Sequence, residues 1–137
     1  MKTSALFMLD TNIASFIIRG ANSTLRKHLN QISINALCIS TITQGELLYG
    51  LELKPEATTL KKLIREFLLR PQILPWDENA AKQYGLLRAR LEKAGTPLGN
   101  MDTMIAAHAL SEKAALVTND NAFSRIKGLT VEDWSKT

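Results

Sequence analysis

Four acidic residues, Asp10, Glu46, Asp102 and Asp120, stand where folding could bring their carboxylates together. Asp10 directly follows the apolar run "FML", and Asp120 follows a second apolar run in "LVTND". Carboxylates within a few ångströms of one another have raised pKa values unless cations neutralise them. Mg²⁺ prefers oxygen ligands and binds one or two carboxylates together with substrate phosphate. Such a cluster would suit metal-assisted hydrolysis of a phosphodiester bond.

Polar residues beside two of these acids could support the same chemistry. Thr11 and Asn12 follow Asp10, and Thr118 and Asn119 precede Asp120. Their hydroxyl and amide groups are expected to orient the carboxylates or to hold water at a metal site.

Each acid also has an ordinary structural interpretation, and the sequence leaves both open. Aspartate is a favoured helix N-cap, which would explain Asp10. Asp102 in a first helical turn would favour the helix dipole, and Asp120 would suit a turn. Glu46 has no cation three or four residues away, so it is either solvated or held by a group outside its own helix.

Short apolar runs alternate with helical patterns along the chain, which predicts an α/β fold. The expected strands are residues 6–9, 37–39, 72–74, 114–118 and a last one within 129–134. The expected helices are 11–19, 22–31, one from a Ser40 cap to about 53, one with Pro55 in its first turn, a long one ending at Gly95, and 101–113 after Gly99 and Asn100. This order predicts a central parallel sheet of four to five strands with helices on both faces. Sites in such sheets form at the carboxyl ends of the strands, where Asp10 and Asp120 stand.

Length and composition are those of a globular protein with one domain over residues 1–137. The chain is 45% hydrophobic and 22% charged, with a net charge of +4 and a pI of about 9.4. A basic balance permits a polyanionic partner without establishing one. Cys38 is the lone cysteine, which fits a reducing cytosol and a core position. No run approaches the roughly 20 apolar residues of a membrane span.

The ordered set of motifs resembles the PIN-domain ribonucleases. More narrowly, it resembles the VapC toxins of bacterial toxin–antitoxin pairs. The similarity lies in "MLDTN", "ISTITQGELLYG", "YGLLRARLEKAGTPLGNMDTMIAAHA" and "LVTNDNAF", in the same order over nearly the whole chain.

The resemblance implies a PIN-like fold and an endoribonuclease that uses Mg²⁺ or Mn²⁺. The family's acids fall on Asp10, Glu46, Asp102 and, least securely, Asp120, and Thr118 matches a polar residue near the metal site. It also implies a cytoplasmic homodimer that cleaves RNA, with transfer RNA as the expected substrate, and a VapB-like antitoxin as partner. Two alternatives stay open: a PIN-type nuclease of RNA processing outside any toxin pair, and a non-catalytic binding module whose acids are caps and turns.

Other polar and aromatic residues have simpler interpretations. Arg88 and Arg90 on the long helix are candidate contacts for RNA phosphate, although a solvated helix face explains them as well. His108 lies in an apolar helix and is expected to be a hydrogen-bonded core histidine. Trp76 and Trp134 are expected in the core or an interface.

Overall fold

One parallel sheet organises the chain. The computed structural model describes residues 5–20 and 22–136. Its strands are β1 (Phe7–Leu9), β2 (Leu37–Ser40), β3 (Gln72–Leu74), β4 (Ala115–Val117) and β5 (Val131–Glu132). They lie in the order β3-β2-β1-β4-β5, and every neighbouring pair is parallel. The predicted α/β architecture is confirmed.

Six α-helices join the strands. They are α1 (Thr11–Arg19), α2 (Ser23–Asn30), α3 (Thr41–Leu53), α4 (Thr58–Leu68), α5 (Glu78–Lys93) and α6 (Asn100–Glu112), with 3₁₀ turns at Ile34–Ala36 and Asn121–Arg125. Within the described residues, none of these helices has the length and apolar character needed to cross a membrane.

Several helix boundaries follow local sequence signals. Asn22, Ser40 and Asp77 each accept a backbone N–H bond at the start of a helix, as N-caps do. Gly95 follows the end of α5 with φ 74°, a conformation that glycine adopts without strain. The placement of Pro55 in a first helical turn is wrong. The α4 helix begins only at Thr58, and residues 55–56 form a turn before it.

The sheet has an apolar core on each face, because side chains alternate along each strand. Met8, Cys38 and Leu116 face the side covered by α5 and α6. Leu9, Ile39 and Val117 face the opposite side, and the helices over them are α1, α2, α3 and α4. Helices therefore cover both faces, as the sequence predicted, and Cys38 is buried as expected.

Helix α6 packs closely on the sheet because its inward face consists of small residues. Ala106, Ala107 and Ala109 are fully buried there. His108 is also fully buried, but within the described residues neither of its ring nitrogens has a hydrogen-bond partner. The core position expected of His108 is confirmed, and the backbone carbonyl of Pro75 lies close enough to its ring to favour the protonated form. Burial lowers the pKa of His108, although the carboxylate of Glu112, 3.8 Å from Nε2, acts in the opposite direction.

The strand order reverses beside β1. The chain passes from β1 to β2 and β3 on one side, then crosses to β4 and β5 on the other. Helix α1 follows β1, and helix α6 precedes β4 on the opposite face of the sheet. The two helices therefore diverge at the carboxyl end of the β1–β4 pair. In open α/β sheets such a reversal creates the crevice in which ligands bind.

Shortening a side chain on the central strands should be costly. Leu116 is fully buried under α5 and α6, and replacing a buried leucine with alanine removes apolar contacts and leaves a cavity. We expect Leu116→Ala to lower the free energy of unfolding by about 2–5 kcal/mol in urea titrations. Leu86→Ala is the control, because Leu86 is 61% exposed on α5, and it should change the value by less than about 0.5 kcal/mol. Equal losses in the two variants would mean that the core is not organised around β4.

Candidate active site at the carboxyl edge of the sheet

Asp10 is the most deeply placed of the four predicted acids. It follows β1, is only 5% exposed, and its backbone N–H donates to the carbonyl of Val117 on β4 at 3.0 Å. Its Oδ1 accepts the N–H of Ile13 at 2.8 Å, so Asp10 is also the N-cap of α1. Both interpretations of Asp10 are thus compatible, because the cap fixes the carboxylate at the strand end.

The surroundings of Asp10 favour its protonated form. Burial raises the pKa of Asp10, and the negative charges of Asp102 and Asp120 raise it further. Hydrogen bonds from the Thr118 hydroxyl and the Ile13 N–H act the other way without cancelling the effect of burial. A nearby cation would stabilise the ionised form of this carboxylate.

Glu46 is held by a residue of another helix. The hydroxyl of Thr11, at the start of α1, donates to Oε1 of Glu46 at 2.6 Å. The same hydroxyl lies 3.1 Å from the hydroxyl of Thr43, which is fully buried on α3. Of the two interpretations that the sequence left open for Glu46, a partner outside its own helix is the one observed.

Asp102 is half-buried in the first turn of α6. Burial raises the pKa of Asp102, and the charges of Asp120 and Glu46 add to that effect. Its position near a helix N-terminus favours a negative charge, but the net direction is still upward. Asp102 is therefore within electrostatic reach of acids that come from β4 and from α3.

Asp120 is the most exposed of the four acids. Its Oδ1 accepts the N–H of Ala122 at 2.9 Å, which starts the 3₁₀ turn after β4. Its own N–H donates to the buried hydroxyl of Thr118 at 3.1 Å. Thr118 thus contacts the backbone of Asp120, and its hydroxyl is also near enough to Asp10 to lower the pKa of that carboxyl.

The two asparagines predicted beside the acids have looser surroundings. Asn12 is exposed on the first turn of α1, and Asn119 is half-buried after β4. Neither side chain makes a hydrogen bond to the described part of the chain. Their predicted role in orienting carboxylates or water stays a prediction.

The four carboxylates interact electrostatically, but they do not converge on a single point. Within residues 5–20 and 22–136, no three carboxylate, imidazole or thiol groups stand close enough together to hold a metal ion between them. Charge–charge interactions reach much further than the roughly 2.1 Å of a Mg²⁺–oxygen bond, which reconciles this spacing with the raised pKa values. Their role as metal ligands stays a prediction.

A groove that the sequence did not predict leads away from Glu46. It has a volume of about 230 Å³ and lies between α1, α3 and α4. Its apolar lining includes Ile18, Leu47 and Ile64, and Arg19 and Lys54 add positive charge. Arg19 ends α1 and Lys54 follows α3, so only the packing of these helices brings them together.

The predicted RNA contacts on α5 are exposed. Arg88 donates to Oε2 of Glu92 at 2.9 Å and to the hydroxyl of Tyr84 at 2.8 Å. Arg90 is exposed on the same helix. These contacts orient Arg88 on the helix surface, and binding of RNA phosphate by either arginine stays a prediction.

Comparisons with known proteins give one consistent family. The model of the PIN domain family matches residues 7–129. A relative from Shigella flexneri, the tRNA(fMet)-specific endonuclease VapC, is 40% identical over 130 residues, which are 94% of this chain and 98% of that protein.

Solved structures lead to the same group. DNA-bound VapBC from Salmonella typhimurium superimposes with a TM-score of 0.88 at 39% identity, covering 96% of this chain and 99% of that one. VapBC2 from Rickettsia felis, bound to a DNA fragment from its promoter, gives a TM-score of 0.87 at 34% identity, covering 93% and 97%.

Neutralising Asp10 should stabilise the metal-free protein. A raised pKa means that the folded state binds a proton at Asp10 more tightly than the unfolded state. The stability linked to Asp10 is therefore fully present below the unfolded value, near 3.9, and is lost as the pH rises through the folded value. Asparagine caps helices as well as aspartate, so Asp10→Asn should raise the free energy of unfolding at pH 7, with a gain that shrinks towards pH 4. Urea titrations in a chelator at both pH values measure this.

Asp77→Asn is the matched control, since Asp77 caps α5 in the same way at an exposed position. It should show no stabilisation at pH 7. A similar gain in both variants would show that the effect comes from the helix caps and not from the acid cluster.

Proposed function

The chain belongs to the PIN-domain family and to its VapC-type ribonucleases, and we propose that it is a toxin that cleaves transfer RNA with Mg²⁺ or Mn²⁺. The observation behind this proposal is the raised pKa of Asp10 and of Asp102, each caused in part by the other acids. Burying repelling carboxylates costs stability, and a divalent cation relieves that cost. The position at a strand-order reversal supports a ligand site as well.

The donor set suits a hard divalent cation. Asp10, Glu46, Asp102 and Asp120 supply oxygen ligands only, which Mg²⁺ and Mn²⁺ prefer. Because Mg²⁺ keeps several waters and often binds through one or two carboxylates, the open spacing of the acids is compatible with binding. When bound, the cation would supply positive charge to the phosphodiester and acidify the water that attacks phosphorus.

The chain's own residues would hold and orient this site. The N–H of Ile13 and the hydroxyl of Thr118 fix the carboxylate of Asp10, and the hydroxyl of Thr11 fixes Oε1 of Glu46. Asp120 is the exposed acid, so it is suited to meet solvent or a phosphate-linked cation. Positive charge at Arg88, Arg90 and along the groove would attract the RNA backbone.

The proposal includes a partner and a substrate class. The relative from Shigella flexneri, which is 40% identical to this chain, is named as a tRNA(fMet)-specific endonuclease. Initiator transfer RNA is therefore the first substrate to test. Solved neighbours are VapBC complexes, which supports a VapB-type antitoxin. A segment of it lying in the groove between α1, α3 and α4 would cover Glu46. A homodimer in the cytoplasm and inhibition of translation complete the proposal.

Metal-dependent RNA cleavage is the direct test. The purified, antitoxin-free chain should cut total bacterial RNA at one or a few sites with Mg²⁺ or Mn²⁺ and not in a chelator. Sequencing of the new 5′ ends identifies the target. Asp10→Asn should reduce the rate more than about 100-fold, since even partners that only orient metal ligands are worth 10–100-fold.

Asp77→Asn makes the same substitution at a helix cap outside the acid cluster, and because asparagine preserves the cap it should cleave at the normal rate. Cleavage by Asp10→Asn at that rate would contradict the site assignment. A folded wild-type chain that cuts no RNA with either metal would favour a non-catalytic binding module.

The hydroxyl of Thr11 should contribute through Glu46. Thr11→Val keeps the branched shape but removes the donor at 2.6 Å from Oε1. We expect a 10–100-fold loss in kcat/KM for RNA cleavage, measured under saturating Mn²⁺ and under limiting Mn²⁺. Thr11→Ser retains a hydroxyl and should stay within a few-fold of wild type. Normal activity in Thr11→Val would show that the hydrogen bond to Glu46 is dispensable, and equal losses in both variants would show that loss of the hydroxyl alone does not explain the effect.

A further inference from the structure

Trp76 connects two helices that each contribute an acid to the site. It lies in the loop 75–77 between β3 and α5, and it is half-buried. We propose that Trp76 is a positioning residue that fixes the separation of α3 and α6, so that Glu46 and Asp102 can bind one cation together. This inference rests on the metal-dependent function proposed above.

The first anchor is a hydrogen bond to α6. The indole Nε1–H of Trp76 donates to the backbone carbonyl of Met104 at 2.9 Å. Met104 lies two residues after Asp102, within the first turns of the helix. A carbonyl oxygen has two lone pairs, so this bond adds to the helix without replacing its internal bonds. It ties the end of α6 that contains Asp102 to the loop after β3.

The second anchor is a hydrogen bond to α3. The backbone N–H of Trp76 donates to the hydroxyl of Thr41 at 3.1 Å. Thr41 is the first residue of α3 and precedes Glu46 by little more than one turn. One residue thus links the N-terminal ends of both helices at short distances.

The orientation of the indole is fixed by a third helix. The rings of Trp76 and Tyr84 on α5 lie 6.0 Å apart at 73°, the edge-to-face arrangement that aromatic pairs favour. Asp77, the next residue, caps α5. The loop therefore cannot turn freely, and movement of α6 relative to α3 has to break a contact of Trp76.

In the metal-free protein, the contacts of Trp76 oppose the separation of α3 from α6. Asp102 and Glu46 repel each other, and their repulsion would be relieved if α3 and α6 moved apart. Contacts that oppose this movement keep the carboxylates ready for a cation, which lowers the cost of ordering the site at binding.

The test compares variants that break one anchor each. Trp76→Phe keeps an aromatic ring beside Tyr84 but removes the indole donor, and Thr41→Val removes the hydroxyl that accepts the second bond. Thr41→Ser retains that hydroxyl. Trp134→Phe is the matched control. The indole of Trp134 donates to Glu132 at 2.8 Å, and Glu132 lies in β5, the edge strand at the other end of the sheet from β3.

The readouts are Mn²⁺ titration of the metal-free proteins by calorimetry, and kcat and KM for RNA cleavage. We expect Trp76→Phe and Thr41→Val each to weaken Mn²⁺ binding three- to tenfold and to lower kcat, with KM for RNA unchanged. Thr41→Ser and Trp134→Phe should stay within twofold of wild type. Urea titrations test whether each variant is more than 99% folded, because partial unfolding would imitate weaker binding.

The possible results separate this inference from the proposed function. If wild type binds Mn²⁺ and cleaves RNA while Trp76→Phe and Thr41→Val bind it within twofold of wild type, the positioning role is wrong and the nuclease stands. If Trp134→Phe weakens binding as much as Trp76→Phe, the effect is general destabilisation and the inference is also overturned. If wild type binds no Mn²⁺, both the inference and the metal-dependent function fail.

Discussion

Repulsion between carboxylates at one edge of the sheet is the constraint around which this structure is built. Asp10 and Asp102 both have raised pKa values, and each is affected by other acids of the group. Among residues 5–20 and 22–136 no cationic side chain forms an ion pair with either of them, so the rest of the fold must hold them in place. The two apolar cores do this, because they fix β1 and β4 side by side and press α1 and α6 onto opposite faces.

The hydrogen bonds that hold the acids are also those that begin the neighbouring elements. The carboxylate of Asp10 starts α1, and that of Asp120 starts the 3₁₀ turn after β4. Backbone N–H groups thus orient both of these acids without a further side chain. Such groups are more rigid than the long side chain of a lysine or an arginine. Glu46 is different, because its orientation depends on a hydroxyl from another helix, and a longer side chain needs such a partner to stay in one rotamer.

Local signals were enough to predict most of the fold and the edge at which the acids gather. Strand ends, N-caps such as Ser40, and the glycine after α5 are encoded within a few residues, and the strand–helix alternation dictates a parallel sheet. What the sequence could not provide depends on packing between distant segments. The groove beside Glu46 exists only once α1, α3 and α4 meet, and the contacts of Trp76 join residues far apart in the chain. His108 shows the same limit, since an apolar helix predicts burial but not whether a hydrogen-bond partner is present.

The strand order has a consequence for how such a protein is made. Strand β1 is synthesised well before its neighbour β4, because β2, β3 and helices α1 to α6 lie between them in the chain. Pairing between segments this distant in sequence forms late in folding. A growing chain can pair β1, β2 and β3 before β4 has been made, so Asp10 lacks that neighbouring strand during this stage. The acids after β1 and β4 therefore come together only after β4 has been made, which ties assembly of the candidate site to the late pairing of these two strands.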